Sequence, residues 1–384
     1  MRLLHTADWH AGRHLSRRGL DEGLEKSLND LVDYAVREKV DAVLVAGDVF
    51  DGTKPPHASQ QLVYRTLMRL YLEKIPVAVI AGNHDSVGHW HALKPLFELA
   101  NVTVVSELST GSIHTIQTRS GPLHLASLPW PNERLLSPIR FEQSDSDELK
   151  LTWADRVRRL VQVLCNKLPP GAPRLLMSHL MVNGSRVSCT ERSLSISDTY
   201  AVPAEIFPRD LNYVALGHVH TPQTVAAPIK SCYAGSLRPL DFGEAGEARG
   251  FYRVEVGVGK PTETEFVELT PGQPLHQIEL QRETLEQELN QLAQRPGLYK
   301  VLVHLQTPEA GLADLVRRKV PNALMVRTVL TGQSQGPDLI APEKLLDPLE
   351  TFRQFHQSEY GCAPEGELVE LFLSLLQEDA LEIA

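Results

Sequence analysis

Cysteine is scarce and unpatterned: Cys165, Cys189, Cys232 and Cys362 are scattered along 384 residues. Thiols so separated make neither a zinc knuckle nor a disulfide framework, so reduced cysteines and a cytoplasmic protein are expected. No run of about eighteen apolar residues occurs, which removes a membrane-spanning helix. The first residues run straight into a strand pattern without a basic flank and apolar segment, so no secretory signal is expected. The chain has no Gly-x-x-x-x-Gly-Lys-Ser/Thr loop and is not expected to bind ATP itself. Internal repeats and low-complexity tracts are also absent. What remains is an ordinary globular composition, 42% hydrophobic and 22% charged, in a length suited to two or three domains.

The net charge of −10 speaks at first against a nucleic-acid partner. Its distribution cancels that inference. From Pro342 onward there are ten acidic and two basic residues, which leaves 36 bases against 38 acids in the rest of the chain. Bound divalent cations would add positive charge to a cleft in that near-neutral body. Charge neither supports nor excludes a nucleic acid.

The most informative stretch is Val43-Leu44-Val45-Ala46-Gly47-Asp48, a short apolar run that stops at a carboxylate. It reads as a buried parallel strand. Four others share the pattern: Leu3 to Ala7 before Asp8-Trp9-His10; Val77 to Gly82 before Asn83-His84-Asp85; Leu175 to Ser178 before His179; and Tyr213 to Gly217 before His218-Val219-His220. Each run delivers metal-competent side chains at its carboxyl end, the edge where open α/β sheets bind ligands.

Between these runs, apolar residues at helical spacing (Leu24, Leu28, Leu31, Val32, Ala35, Val36) predict a helix, and further helices are expected over 59–73, 88–99 and 153–168. The alternation implies a largely parallel sheet. Strand signals at 232–234, 251–256 and 264–269 suggest a second, more antiparallel sheet. The expected class is therefore α/β, a two-sheet sandwich with outer helices over residues 1–270. Thr270-Pro271-Gly272-Gln273-Pro274 reads as a linker. Residues 275–332 then alternate strand and helix as a small α/β domain, and 342–384 hold two short helices, 348–360 and 365–377. The second is expected after Gly361-Cys362-Ala363-Pro364, and Asp347-Pro348-Leu349-Glu350 looks like a capping box for the first, with proline at its first helical position.

Taken singly, the polar blocks are unremarkable: a lone histidine is usually structural, Gly-Asp is a common turn, and Asn83-His84-Asp85 could cap a helix. Their conjunction carries the signal. Carboxylate, imidazole and amide oxygen suit Mn²⁺, Fe²⁺ or Zn²⁺, and the lack of ligand cysteines argues against structural zinc. Alternation along an extended backbone is expected to put Asp8 and His10, and likewise His218 and His220, on one side. Such pairs can feed two adjacent ions, which clamp an in-line phosphoryl displacement.

The five blocks resemble the calcineurin-like metallophosphoesterase superfamily across residues 1–270. The resemblance implies the α-β-β-α metallophosphoesterase sandwich, with Asp8, His10 and His220 on one ion, Asn83, His179 and His218 on the other, and Asp48 bridging. His84 is similar to the family's catalytic histidine, which contacts the scissile phosphate; a capping or supporting role is the alternative. Gly47-Asp48-Val49-Phe50-Asp51-x-x-x-Pro55-Pro56, Gly235-Ser236-Leu237-Arg238-Pro239-Leu240-Asp241-Phe242-Gly243-Glu244 and the two later segments resemble the SbcD-type nuclease subunits of bacteria. Archaeal and eukaryotic kin usually carry histidine where this chain has Asp51. The resemblance implies Mn²⁺-dependent hydrolysis of DNA phosphodiesters at duplex ends, hairpins and single strands. The implied setting is cytoplasmic and nucleoid-associated, in DNA repair and recombination, with an SbcC-type coiled-coil ATPase and a homodimer within a heterotetramer. Residues 275–332 would be the capping domain. Arg13, Arg17 and Arg18 could contact phosphates or form a solvated loop. Leu349, Phe352, Phe355, Leu368, Leu371, Phe372 and Leu375 offer apolar surface that two short helices cannot bury between themselves; the family uses it to grip the ATPase coiled coil, and packing on the body is the alternative. A phosphatase, a cyclic-nucleotide phosphodiesterase or a non-catalytic scaffold of the same fold are the competing functions.

Overall fold

The apolar runs become strands buried along their whole length in the computed structural model, which describes residues 1–136, 139, 152–188, 201–330 and ten positions between 349 and 372. Arg2–Thr6, Ala42–Val45, Val77–Ile80 and Val102–Val105 pair in parallel, with helices Asp21–Arg37, His57–Leu72 and Val87–Leu99 in the connections. Gly250–Glu255 and Glu263–Glu268 extend this sheet antiparallel from the Arg2–Thr6 side. A second six-stranded sheet runs Gln223–Val225, Ser231–Tyr233, Tyr213–Gly217, Arg174–His179, Gly121–Leu128, Ile113–Thr118. Its four inner strands are parallel and its two edge strands antiparallel.

Here the structure departs from expectation. The strands near 251 and 264 join the first sheet, not the second, and the second sheet is parallel at its centre. Alternation gives a strand two faces but does not name its neighbour. Phe251 faces outward, edge-on to Tyr34 at 5.1 Å, while Tyr252 and Val254 face the inner layer.

Three apolar layers result. Leu24, Leu28, Leu31, Val32 and Ala35 pack the first helix on the outer face of the first sheet. Val157, Leu160, Val161 and Leu164 do the same for helix Trp153–Asn166 on the second, started by Thr152 capping the Asp155 amide at 3.2 Å. Between the sheets lie Leu3, Leu44, Ile80, Leu125, Leu175, Met177 and Ala215. Each such large side chain contributes about 1.5–3 kcal/mol on burial. One polar pair crosses this layer: the Tyr213 hydroxyl donates to His5 Nδ1 at 2.9 Å, and His5 Nε2 donates to the Leu216 carbonyl at 3.1 Å. Burial pushes His5 down to about 3, so it is neutral, and it ties the strand leading to Asp8 to the one leading to His218.

Leu275–Gln281, Leu298–Leu305 and Ala323–Leu330 form a third sheet, with helices Leu285–Leu292 and Leu312–Lys319. Leu275 and Leu298 pack with Leu15, Leu20 and Phe242. Met1–Val329 form one compact unit and Leu330–Ala384 a second. In the second unit, Phe352 and Phe372 stack with centroids 4.2 Å apart and planes at 8°. Leu368 and Leu371 are exposed, Leu349 is half-buried, and Phe355 and Leu375 lie outside the described residues.

Candidate metal centre

Three strands of the first sheet and two of the second end at one rim, and the polar blocks begin where those strands stop. The backbone there is not extended. Asp8, His10, Asp48 and His218 have φ of 51°, 46°, 49° and 99°, a region that residues with side chains rarely adopt. The side chains of Asp8 and His10 do converge, but through left-handed turns rather than strand alternation. Glycine makes the approach possible. A Cβ on Gly47 would lie 2.2 Å from His179 Nδ1, one on Gly82 2.1 Å from Asp48 Oδ1, and one on Gly217 1.9 Å from the Ala46 carbonyl oxygen.

Around Asp48 the contacts are short. Its Oδ2 faces His179 Nε2 at 3.3 Å and His10 Nε2 at 3.7 Å, and its Oδ1 accepts the His84 backbone N–H at 2.9 Å. Asp8 accepts the His218 backbone N–H at 3.0 Å. Asn83 Oδ1 is 3.0 Å from both His179 Nε2 and His218 Nδ1. His179 donates Nδ1–H to the Ala46 carbonyl at 2.8 Å. His10 and His220 bring their Nε2 atoms within 3.2 Å. His84 sits half-buried beside them, edge-on to His10 at 4.8 Å, its Nδ1 donating to the Asp51 carbonyl at 3.0 Å. All eight residues expected at the site are therefore together.

Burial dominates the electrostatics. It pushes His10 down to about 4 and His218 to about 3, leaving neutral imidazoles that can coordinate. Burial also pushes Asp8 up to about 7, against the pull of His179 and His220. Asp48 goes the other way: desolvation is outweighed by His179 and His84, which hold it well below the usual carboxylate range. Desolvation of His179 is likewise outweighed by Asp48, which pushes it up to about 9. Asp48 is thus the acid that keeps its charge.

A cation fits this donor set. Among the described residues no lysine or arginine pairs with Asp8 or Asp48, although both are buried. Buried carboxylates faced by imidazoles rather than by lysine or arginine commonly coordinate metals. Donor atoms of Asp8, His10 and His220, of Asp8, Asp48 and His179, and of His10, Asp48 and His84 each lie within 4.8 Å of one another. Two of these overlapping groups share Asp48. One of those two, with His10, admits His84 as a ligand on geometry alone.

Sequence reasoning missed several supports. Asp85 accepts the amides of Gly82, Val49 and Phe50 at 2.9, 3.2 and 3.0 Å, bracing two ligand loops. Burial, reinforced by Asp48, pushes it up to about 6. Trp130 lies over His218 with centroids 4.9 Å apart, and nothing in its local sequence signals this. The basic loop folds as the hairpin His14–Leu15/Arg18–Gly19. It leaves Arg17 and Arg18 exposed, Arg18 near Glu22 at 3.7 Å, while Arg13 turns inward to Asp51 Oδ1 at 3.4 Å.

Residues 1–222 match the family model for calcineurin-like phosphoesterases. The chain is 30% identical over 393 aligned positions to the D subunit of the nuclease SbcCD from Bacillus subtilis (strain 168), covering 99% of this chain and 100% of that one. A solved dimetal phosphatase from Danio rerio aligns at 16% identity with a TM-score of 0.39, covering 69% of this chain and 98% of its own. Among the described residues no helix is long and apolar enough to cross a membrane.

Proposed function

The chain belongs to the calcineurin-like phosphoesterase family, in its SbcD-type branch, and from that membership we propose that it hydrolyses DNA phosphodiesters as the nuclease subunit of an SbcCD-type complex. The carrying observation is the end-to-end match to a nuclease subunit. It continues past the catalytic sandwich into the third sheet and the acidic tail, which a free-standing phosphatase does not need.

On this reading Asp8, His10 and His220 would hold one ion and Asn83, His179 and His218 the other, with Asp48 shared between the two. When bound there, two divalent ions, Mn²⁺ in this proposal, would supply positive charge for the scissile phosphate and for activating water. The protein's own groups do the rest. Burial keeps His10 and His218 unprotonated, and Asp85 and three glycines hold the loops in register. His84, with Nδ1 bonded to the Asp51 carbonyl, turns Nε2 to the substrate and donates a proton to the leaving oxygen. Arg13, Arg17 and Arg18 line the approach for DNA phosphates. Residues 275–332 form the capping domain, and the tail, with Phe352 stacked on Phe372, docks on an SbcC-type coiled-coil ATPase. Such a subunit acts in DNA repair and recombination in the cytoplasm, on the nucleoid, as a homodimer within a heterotetramer, cutting duplex ends as an exonuclease and hairpins or single strands as an endonuclease.

The test is an assay with Mn²⁺ on end-labelled blunt and hairpin duplex, alone and with an SbcC-type partner, beside a small phosphate monoester. DNA cleavage, stimulated by the partner, is expected. Rapid turnover of the monoester with the duplexes left intact would assign the chain to the phosphatases instead.

A further inference from the structure

Two imidazoles of the centre meet nitrogen to nitrogen. His10 Nε2 and His220 Nε2 are 3.2 Å apart, and both residues are buried. Each ring turns its other nitrogen on a carboxylate, His10 Nδ1 on Asp51 Oδ1 at 3.1 Å and His220 Nδ1 on Glu244 Oε1 at 3.4 Å. Both acids have cationic neighbours, Arg13 at 3.4 Å from Asp51 and Arg249 at 3.2 Å from Glu244. An ionised carboxylate only accepts, so each Nδ1 carries the proton and each Nε2 presents a lone pair to the same point. Two ring lone pairs so placed repel each other. The backbone nevertheless pins them there: Arg238 donates to the His10 carbonyl at 3.1 Å, and Arg249 donates to the His220 carbonyl and to Ser236 Oγ. The third donor facing that point is the Asp8 carboxylate.

From this geometry we propose that Asp51 and Glu244 are positioning residues for the first ion site, fixing the Nδ1–H tautomer of His10 and His220 so that both Nε2 atoms face one cation. The proposal rests on the two-ion reading above and deepens it. Glu244 is itself held in place. It is fully buried, and its carboxylate also accepts from Ser188 Oγ at 2.8 Å and the Leu240 amide at 2.9 Å. Asp51 has a double role. Its carboxylate orients a ligand, and its carbonyl orients His84 at 3.0 Å. The second link is main-chain and survives substitution, so variants at position 51 report on the carboxylate alone.

Calorimetric titration of the full chain with Mn²⁺ tests this, together with thermal unfolding and long-range ¹⁵N spectra of the histidine rings. The wild type is expected to bind two ions and to show Nδ1–H at His10 and His220. Asp51→Ala is expected to weaken one binding event about 10–100-fold and leave the other unchanged, without loss of Tm. Asp51→Asn is expected to bind close to wild type, because the amide oxygen facing His10 and Arg13 still accepts. Wild-type affinity in Asp51→Ala, equal weakness in Asp51→Asn, or Nε2–H in the spectra of either histidine would overturn the proposal. A wild type that binds no Mn²⁺ would instead overturn the metal reading itself.

Discussion

Replacing Asp48 by alanine is expected to abolish both ion sites and to lower DNA hydrolysis by about 10⁴-fold or more, the scale of losing one member of a catalytic unit. Its carboxylate faces imidazoles of both proposed sets, His10 at 3.7 Å and His179 at 3.3 Å, and it is held well below the usual carboxylate range. Asp8, the other buried carboxylate grouped with these imidazoles, is pushed up to about 7 by burial and is the weaker anion. Asp51, the nearest acid in sequence, turns its carboxylate to His10 Nδ1 and Arg13, and both oxygens of Asp85 are spent on backbone amides. Without Asp48 the charge that pushes His179 up is gone, so the site loses its one firm anion and gains no substitute. Calorimetry should register no Mn²⁺ binding event of wild-type affinity, and the duplex assay no cleavage above background. Asp48→Asn keeps the shape and one oxygen, so a fold intact by thermal unfolding with binding still lost would separate bridging from mere packing. Retained binding of two ions in Asp48→Ala would refute the bridging role.

His84→Ala should behave differently. The predicted loss is about 10²–10⁴-fold in kcat, the usual worth of a general acid, with two Mn²⁺ ions still bound. The anchor that His84 gives Asp48 is a backbone N–H at 2.9 Å, which alanine preserves. What disappears is an imidazole whose Nδ1 is fixed by the Asp51 carbonyl and whose other nitrogen is free of that constraint. KM should change little. A fall in Mn²⁺ affinity in proportion to activity would make His84 a ligand, as its grouping with His10 and Asp48 permits.

Much of this centre can be read from the chain because its parts are local. An apolar run of four to six residues that stops at Gly-Asp or at histidine is both a strand and a delivery point, so Asp8, Asp48, Asn83, His179 and His218 declare themselves one block at a time. The helices declare themselves equally well: Leu24, Leu28, Leu31 and Ala35 recur at the interval that buries one face of Asp21–Arg37. What stays hidden is what depends on contacts between distant blocks. His10 and His220 touch across 210 positions, and Glu244 reaches His220 from a loop 24 residues on. Spacing along the chain carries no record of either. The left-handed turns at Asp8 and His10 are hidden for another reason: neither is glycine, and their strain is imposed by hydrogen bonds to Gly47 and Asp48 on the neighbouring strand end. The placement of Gly250–Glu255 in the first sheet belongs to the same class, since register with Arg2–Thr6 is set by partners some 250 positions away.

The proposed mechanism turns on two cations sharing one carboxylate, and anomalous diffraction from crystals grown with Mn²⁺ tests for them directly. Two anomalous peaks about 3.5–4 Å apart are expected, with Asp48 between them, Asp8, His10 and His220 around one, and Asn83, His179 and His218 around the other. A single peak, or a pair of peaks that Asp48 does not touch, would contradict it.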